Sequence, residues 1–424
     1  MNLFKTKNNI FKNSLLIIIG NGIDGFLLLV VGIIFARILG KEMYGEYNLL
    51  RNTLADIAIF TTFGIGSTCT KFISQNNTNK ENTAIALSSY LITGGLSGFI
   101  GLVVFIFAKE LAIYLNIPSN SVEIRLVALL VIMNAINCSQ EGILSGLKSF
   151  KILSIVSIIK SILFFAIGII LANSLNVLGC VIALCVYYAI PLLINGVAIL
   201  HKIKLTKIPF TYIKDKTSQL IKFSLPIASQ ECIYSLFQWL IIVLLAKKAD
   251  YFVIADYTTV MQWVAIVLFI PNILRNLVLS YLSDENQKDY KERLVSNLIK
   301  ANLIIVSALV VLFGIASPTI ASLYGQEFLN LKYVLAIALL VTLPDCVSYV
   351  LMQEYISSCK TWALFYFRLI RDGGFFASII ILSLIIFLNV WYLVIANLVF
   401  HIVFCLCLYL GYKKKKISTD EEIN

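Results

Sequence analysis

Twelve apolar runs, each about as long as a bilayer-crossing helix, leave this chain little room to fold as anything but a membrane bundle. They lie near residues 14–39, 48–70, 84–108, 124–147, 152–172, 177–200, 220–246, 257–281, 294–316, 332–358, 363–388 and 391–410. A helix needs about 20 apolar residues to cross the hydrocarbon layer, and twelve such helices fill most of the 424 positions. Only 13% of the residues are charged and 59% are hydrophobic, with a mean hydropathy of +0.89; a soluble domain carries about 25% charge. The expected fold class is an all-α polytopic membrane protein of about 12 transmembrane helices. Residues 1–12 are polar and basic, and the run behind them is too long for the h-region of a cleaved signal, so it is expected to remain as the first span.

Lysine and arginine set the expected orientation. With the amino terminus inside, inner segments hold 22 of the 34 basic residues, including Lys5, Lys7, Lys12, the run from Lys202 through Lys222, and Lys413–Lys416. The outer ends receive about seven: Arg37, Lys41, Lys109, Arg125, Lys247, Lys248 and Lys332. Cytoplasmic loops carry the excess of Lys and Arg, so both termini are expected to be cytoplasmic. The net charge of +11 is explained by orientation in an anionic bilayer, with no nucleic-acid partner needed. The nine cysteines lie mostly inside apolar runs without metal-ligand spacing, and read as small buried thiols. With only His201 and His401, the chain lacks the ligand set of a zinc or haem centre.

A long basic stretch after the sixth span divides the sequence. The expected organisation is a six-helix half over 1–200, a cytoplasmic loop over 201–219, a second half over 220–410, and a basic-then-acidic tail over 411–424. Sliding the chain on itself by 210 places Lys12-Asn13-Ser14 on Lys222-Phe223-Ser224, Glu46-Tyr47 on Asp256-Tyr257, and Leu129-Leu130-Val131 on Leu339-Leu340-Val341. These matches suggest two homologous halves. An even number of spans per half gives both the same orientation, related by an axis along the membrane normal, which is a known transporter plan.

Polar groups inside the spans are the candidate site. A charge at bilayer depth costs at least ~2.5 kcal/mol, so each needs a partner, a wet cavity or a route to the interface. Lys160 stands nine residues from Lys151, about 13 Å along a helix, which is deep. Arg275 can reach the interface by snorkelling, Arg51 lies near the outer end of its span, and Arg368 and Arg371 share a helix face with Asp372 beside them. Among the acids, Asp24, Glu231 and Asp345 sit near the centres of spans one, seven and ten. A deep carboxylate can bind a proton or Na+, so these three are the candidates for ion coupling; static ion pairs are the plain alternative. Asn21, Asp56, Glu141, Tyr234, Gln238 and Glu354 are further polar candidates for an internal cavity. Asn21 and Asp24 correspond at the offset of 210 to Glu231 and Tyr234, and residues three apart share a face. Pro344, directly before Asp345, is expected to open the helix ladder there.

No GxxxxGK[ST] segment is present, so nothing in the sequence points to an ATPase. Gly64-Ile65-Gly66 and Gly94-Gly95 lie within spans, where close helix packing is their usual use.

One segment carries a family resemblance. Phe35-Ala36-Arg37-Ile38-Leu39-Gly40-Lys41-Glu42-Met43-Tyr44-Gly45-Glu46-Tyr47 resembles the outer turn after the first helix in the polysaccharide-transporter branch of the multidrug/oligosaccharidyl-lipid/polysaccharide exporters. Lys222-Phe223-Ser224-Leu225-Pro226 resembles that family's opening of the seventh helix, and Gly142 and Gly146 fit its glycine-bearing fourth helix. The second copy departs from the pattern, with Lys247, Asp250 and Ala255 where Arg37, Gly40 and Gly45 stand.

The resemblance implies a MATE-like inverted-V fold of two six-helix halves and a non-enzymatic flippase. Its implied substrate is an undecaprenyl-pyrophosphate-linked oligosaccharide, moved from the inner to the outer leaflet of the bacterial cytoplasmic membrane for surface polysaccharide such as O-antigen. Lys160, Arg275, Arg368 and Arg371 are then candidates for the pyrophosphate. Membrane lipids and polysaccharide-assembly proteins would be partners, with H+ or Na+ coupled and no other cofactor. An exporter of small organic cations, a flippase for a teichoic or capsular unit, and a non-transporting scaffold are the alternatives.

Overall fold

The computed structural model describes residues 2–75, 78–117, 121–204, 206–269, 271, 288–357 and 360–421. Among these residues there are thirteen α-helices, one short 3-10 turn and no strand. The helices are α1 (Asn2–Thr62), α2 (Ile65–Gln75), α3 (Asn79–Ile106), α4 (Ala108–Tyr114), α5 (Val122–Gly146), α6 (Phe150–Lys202) and α7 (Phe210–Lys248). They continue as α8 (Tyr251–Val267), α9 (Lys288–Tyr324), α10 (Leu331–Leu340), α11 (Thr342–Ser357), α12 (Thr361–Ile385) and α13 (Val390–Glu421).

Two of these helices are hairpins. In α1, Gly40 has φ 73° and ψ 173°, a conformation open to glycine and costly for a residue with a Cβ. The rings of Phe35 and Tyr47 meet at 5.4 Å, whereas twelve residues of unbroken helix would hold them about 18 Å apart. In α6 the break is at Asn176, with φ 51°, and Phe164 meets Tyr187 at 5.4 Å. Gly179 packs so tightly there that a Cβ would fall on the Leu171 carbonyl oxygen. Each of these helices therefore supplies two crossings, matching the expected breaks between spans one and two and between spans five and six.

The distribution of side chains is that of a protein solvated by lipid. On α3 the buried face includes Ser88, Ser89, Thr93 and Ser97 beside Ile85 and Ile92, while Phe99, Leu102 and Ile106 are 68%, 57% and 62% exposed. Water would reverse that pattern; hydrocarbon solvates the apolar face and leaves small polar residues to bind helices together. Thr93 and Ser139 do so between α3 and α5, with hydroxyls 2.9 Å apart. Among the described residues, seven helical segments are long and apolar enough to cross a membrane.

The chain forms two compact units, Met1–Ile242 and Val243–Asn424. In the first, Ile65, Ile73, Ile85, Ile143, Ile199 and Leu220 form a core. Close approach of α2 and α5 frames it. A Cβ at Gly142 would overlap the Gly66 backbone, a Cβ at Gly146 would stand 2.7 Å from Ile73 Cβ, and the Thr70 hydroxyl donates to the Gly142 carbonyl at 3.1 Å. The second unit packs Val295, Val350, Leu351, Leu364, Phe404 and Leu408 together, and Trp263 Nε1 donates to the Tyr324 hydroxyl at 3.1 Å. Between α10 and α11 the hydrogen-bond ladder tightens at Val341, three residues before Pro344: its N–H turns to the Ala338 carbonyl at 3.1 Å while its backbone stays helical, and the Thr342 hydroxyl donates to the Leu339 carbonyl at 2.6 Å.

The stretch 201–219, expected as a loop, is largely helical. α7 starts at Phe210 and docks on the first unit: Ser88 donates to the Ile213 carbonyl at 3.1 Å, and Lys71 lies 4.0 Å over the Phe223 ring. The cysteines described are free thiols; Cys359 lies outside the described residues.

The glycine contact between α2 and α5 is testable. Gly142→Ala overpacks it, and is expected to lower the unfolding temperature in detergent by an amount equivalent to about 1–3 kcal/mol. Gly94→Ala, whose added carbon meets nothing within 4 Å, should not lower it. Equal melting of the two variants would refute the packing role of Gly142.

Candidate functional site

Three helices converge on a polar cavity inside the first unit. Its volume is about 200 Å³, and its polar lining includes Asn21 of α1, Glu141 and Ser145 of α5, and Ser157, Lys160 and Asn195 of α6. Helical spacing accounts for the grouping. Ser154, Ser157 and Lys160 recur every three residues, Glu141 and Ser145 are four apart, and Tyr187 and Asn195 are eight apart on the returning arm of α6. Gly20 sets the approach of α1, because a Cβ there would stand 2.8 Å from Ser154 Cα.

At Lys160 the cavity meets the first helix. Lys160 Nζ lies 3.3 Å from Asp24 Oδ2, and the two side chains are 13% and 15% exposed. Tyr187 completes the cluster. Its hydroxyl donates to Asp24, 3.1 Å from each carboxylate oxygen, and the Lys160 ammonium stands 4.5 Å from its ring centroid. The ammonium thus has a carboxylate and an aromatic face as partners. Removing one member of a buried pair costs about 3–5 kcal/mol, since the other charge is stranded. Glu141 adds a second carboxylate to the same cavity.

Asn195 is 1% exposed, and neither its amide nitrogen nor its oxygen has a hydrogen-bond partner among the described residues. Such a group costs about 1–3 kcal/mol while it stays unpaired. Its neighbours on α5 are better placed. Asn137 donates to the Tyr188 carbonyl at 2.8 Å and Gln140 to the Leu192 carbonyl at 3.1 Å. They brace α6 around Pro191, which has no N–H to return to the carbonyl of Tyr187.

The other candidates lie elsewhere. Asp56 is bound to α7, with the Ser235 hydroxyl 2.8 Å from its carbonyl oxygen and 3.2 Å from its carboxylate. On α7, Glu231 and Tyr234 are exposed and Gln238 is half-buried; none of the three lines the cavity. Asp345, Glu354, Arg368 and Arg371 belong to the second unit. There the carboxylate of Asp345 is bonded to His401 Nδ1, and Arg371 Nε lies 2.7 Å from Asp372 Oδ1. Glu354 is buried and Arg368 half-buried. Arg275 lies outside the described residues. The structure therefore gathers Asn21, Asp24, Glu141 and Lys160, and adds Tyr187, Asn195, Ser145 and Ser157, which the sequence reading passed over.

Solved structures similar to this chain are membrane transporters. An inward-facing multidrug-resistance MATE family transporter of the MOP superfamily has TM-score 0.78 and 14% identity, over 96% of this chain and 99% of that one. The lipid II flippase MurJ in an inward closed conformation has TM-score 0.75 and 16% identity, over 94% and 87%. A MOP superfamily transporter from Pyrococcus furiosus, described as having a binding pocket of reverse polarity, has TM-score 0.65 and 16% identity, over 97% and 96%. No curated protein matches the sequence. The fold is thus the all-helical, MATE-like transporter fold in a multi-pass membrane protein. Residues 10–274 match the family model described as polysaccharide biosynthesis protein, and the chain belongs to that family.

The ion pair predicts a measurable coupling. Asp24→Asn and Lys160→Met should each lower the unfolding temperature in detergent, and the double variant should lose less than the sum, by about 0.5–3 kcal/mol. Additive losses would mean that the two side chains do not stabilise each other.

Proposed function

We propose that this protein is a flippase for isoprenoid-linked oligosaccharide, carrying undecaprenyl-pyrophosphate-linked repeat units from the inner to the outer leaflet of the bacterial cytoplasmic membrane. The observation that carries this reading is a lysine ammonium, Lys160, lining a polar cavity in a lipid-solvated unit. Membership of the polysaccharide biosynthesis family supports it. So does likeness of fold to a protein described as a lipid II flippase.

The chemistry required is solvation, with no bond made or broken. A pyrophosphate and sugars cannot enter hydrocarbon unaided. Lys160 supplies charge-assisted hydrogen bonds to phosphate oxygens, and the amides and hydroxyls of the cavity replace water around the sugar. The isoprenoid tail stays in the bilayer while access alternates. Both termini are cytoplasmic on this reading, following the lysine distribution, and polysaccharide-assembly proteins would supply and consume the lipid.

For coupling to H+ or Na+, the favoured site is Asp345 with His401 in the second unit. Asp24 is already paired with Lys160, whereas the partner of Asp345 is an imidazole, which can donate or accept a hydrogen bond. A second reading, export of a small organic cation, is favoured by the extra carboxylate of Glu141 in the cavity.

Transport into proteoliposomes separates these readings. At matched abundance, Lys160→Ala should slow translocation of lipid-linked oligosaccharide at least about tenfold, the loss of one charged hydrogen bond of roughly 1.5 kcal/mol or more, and Lys160→Arg should retain more. Unchanged glycolipid transport by the alanine variant, with faster efflux of an organic cation, would select the second reading. In the same vesicles under separately imposed proton and sodium gradients, Asp345→Asn should abolish gradient stimulation and leave glycolipid binding intact. Coupling is refuted if neither gradient accelerates the wild type, and its assignment to Asp345 if the asparagine variant responds fully.

A further inference from the structure

Asn195 is the most demanding group in the cavity. It sits on the returning arm of α6, two turns from Tyr187, in a span whose other neighbours are largely apolar. It is 1% exposed, lines the same cavity as Lys160, and both of its polar atoms lack a partner among the described residues. An amide holding one donor and one acceptor side in reserve at membrane depth is destabilising unless something in the cavity pairs with it. Phosphate cannot satisfy it fully, because phosphate only accepts. A sugar ring does both: its hydroxyls donate and accept, as does an acetamido substituent.

The surroundings favour the same occupant. Asn21, Ser145 and Ser157 line the cavity too, and each both donates and accepts. At about 200 Å³ the space far exceeds the roughly 10–15 Å³ that a single water requires on the same measure. The cation and the neutral hydrogen-bonding groups share one cavity, so an anion and a hydroxylated ring attached directly to it can be held together.

We propose that Asn195 is the specificity-determining residue of a sugar subsite, seating the first sugar of the substrate beside the phosphate held at Lys160. This rests on the flippase reading given above and refines it. Its consequence is discrimination. The carrier lipid exists with and without sugar, and both forms present the same phosphates to Lys160. A site built to hydrogen-bond a hydroxyl rejects the analogue lacking it, because its own buried polar group is then left unpaired. Asn195 would thus keep the bare carrier from being transported in competition with the loaded one.

The test is equilibrium binding to the purified full-length protein in nanodiscs. The probes are a polyprenyl pyrophosphate and the same lipid carrying one neutral hexose or one N-acetylhexosamine. Wild type should bind at least one glycosylated form about tenfold more tightly than the bare lipid, or about 1.4 kcal/mol. Asn195→Ala should bring that ratio close to one while leaving affinity for the bare lipid unchanged. Asn195→Leu, which keeps the number and branching of side-chain heavy atoms, should do likewise and controls for any cavity left by alanine. Lys160→Ala should weaken both lipids equally and keep the ratio. A wild-type ratio of one for both sugars, or a ratio unaffected by both Asn195 variants, overturns the sugar subsite. Equal weakening of bare and glycosylated lipid by the Asn195 variants also overturns it. If Lys160→Ala changes neither affinity while the Asn195 variants still abolish the ratio, the anion-binding reading fails and the sugar subsite stands.

Discussion

The pairing of Lys160 with Asp24 imposes conditions on much of the first unit. An ammonium at bilayer depth is expensive, and its carboxylate partner is on a different helix. The pair forms only if α1 lies against α6 along the right face. Gly20 permits that approach by removing the side chain that would strike Ser154. The hairpin at Asn176 then returns α6 so that Tyr187 reaches the same carboxylate. Around this cluster Ser154 and Ser161 are buried beside Val156 and Phe164, while Ile155, Ile159, Ile162 and Leu163 are exposed. The same solvent explains both halves of that pattern. Lipid offers nothing to a hydroxyl or an amide, so such groups must find one another inside the unit.

The breaks in the helices show a second regularity. Gly40 interrupts α1 and Asp250 separates α7 from α8; Asn176 interrupts α6 and Ile386 ends α12. Each pair is 210 residues apart, the offset at which fragments of the sequence match. The residues differ because the turns differ. Gly40 has φ 73°, whereas Asp250 has φ −86° and ψ 158°, an extended conformation that any residue adopts at a helix N-cap. Similarly Asn176 has φ 51° and Ile386 has φ −138°. Thus the position of each turn is repeated while its backbone geometry is not, which accounts for the loss of glycine in the second copy.

Much of this was legible in the sequence, for reasons that differ by residue. The spans follow from apolar length, and the close packing of Gly66 from a small residue within a span, whereas Gly94 and Gly95, read the same way, meet nothing within 4 Å. Lys160 and Asp24 each stood out by depth, but their pairing did not. Asp24 is 136 residues away, and only the lateral arrangement of helices brings the two together. Asn195 was invisible for a related reason. A single amide in a span is unremarkable until the surrounding groups are known to leave it unpaired. The segment 210–219 was misread because its charge was weighed and its period was not. Tyr212, Ile213, Lys216, Thr217 and Leu220 turn inward at helical spacing while Lys214 and Asp215 stay exposed. His401 was weighed only as a metal ligand, and its bond to Asp345 joins residues 56 apart that sequence spacing alone does not bring together.

The ion pair also bears on how a substrate could be released as well as bound. An isolated ammonium and a phosphate oxygen 4 Å apart attract by about 4 kcal/mol at the effective dielectric typical of protein sites. A pyrophosphate held by such a charge in a dry cavity would leave slowly. Transport needs a site favourable enough to enter and weak enough to quit. Asp24 moderates the attraction, because its carboxylate competes for Lys160 at 3.3 Å and is itself held by Tyr187. On the proposed reading a headgroup would therefore gain only the difference between two partners, and its departure would not strand a bare ammonium. On that reading, a charged Glu141 in the same cavity would lower the affinity for an anion further. On this argument the acids near Lys160 do not oppose the flippase reading. On the proposed flippase reading they would let one lysine serve as a transient contact and leave selection of the loaded lipid to neutral groups.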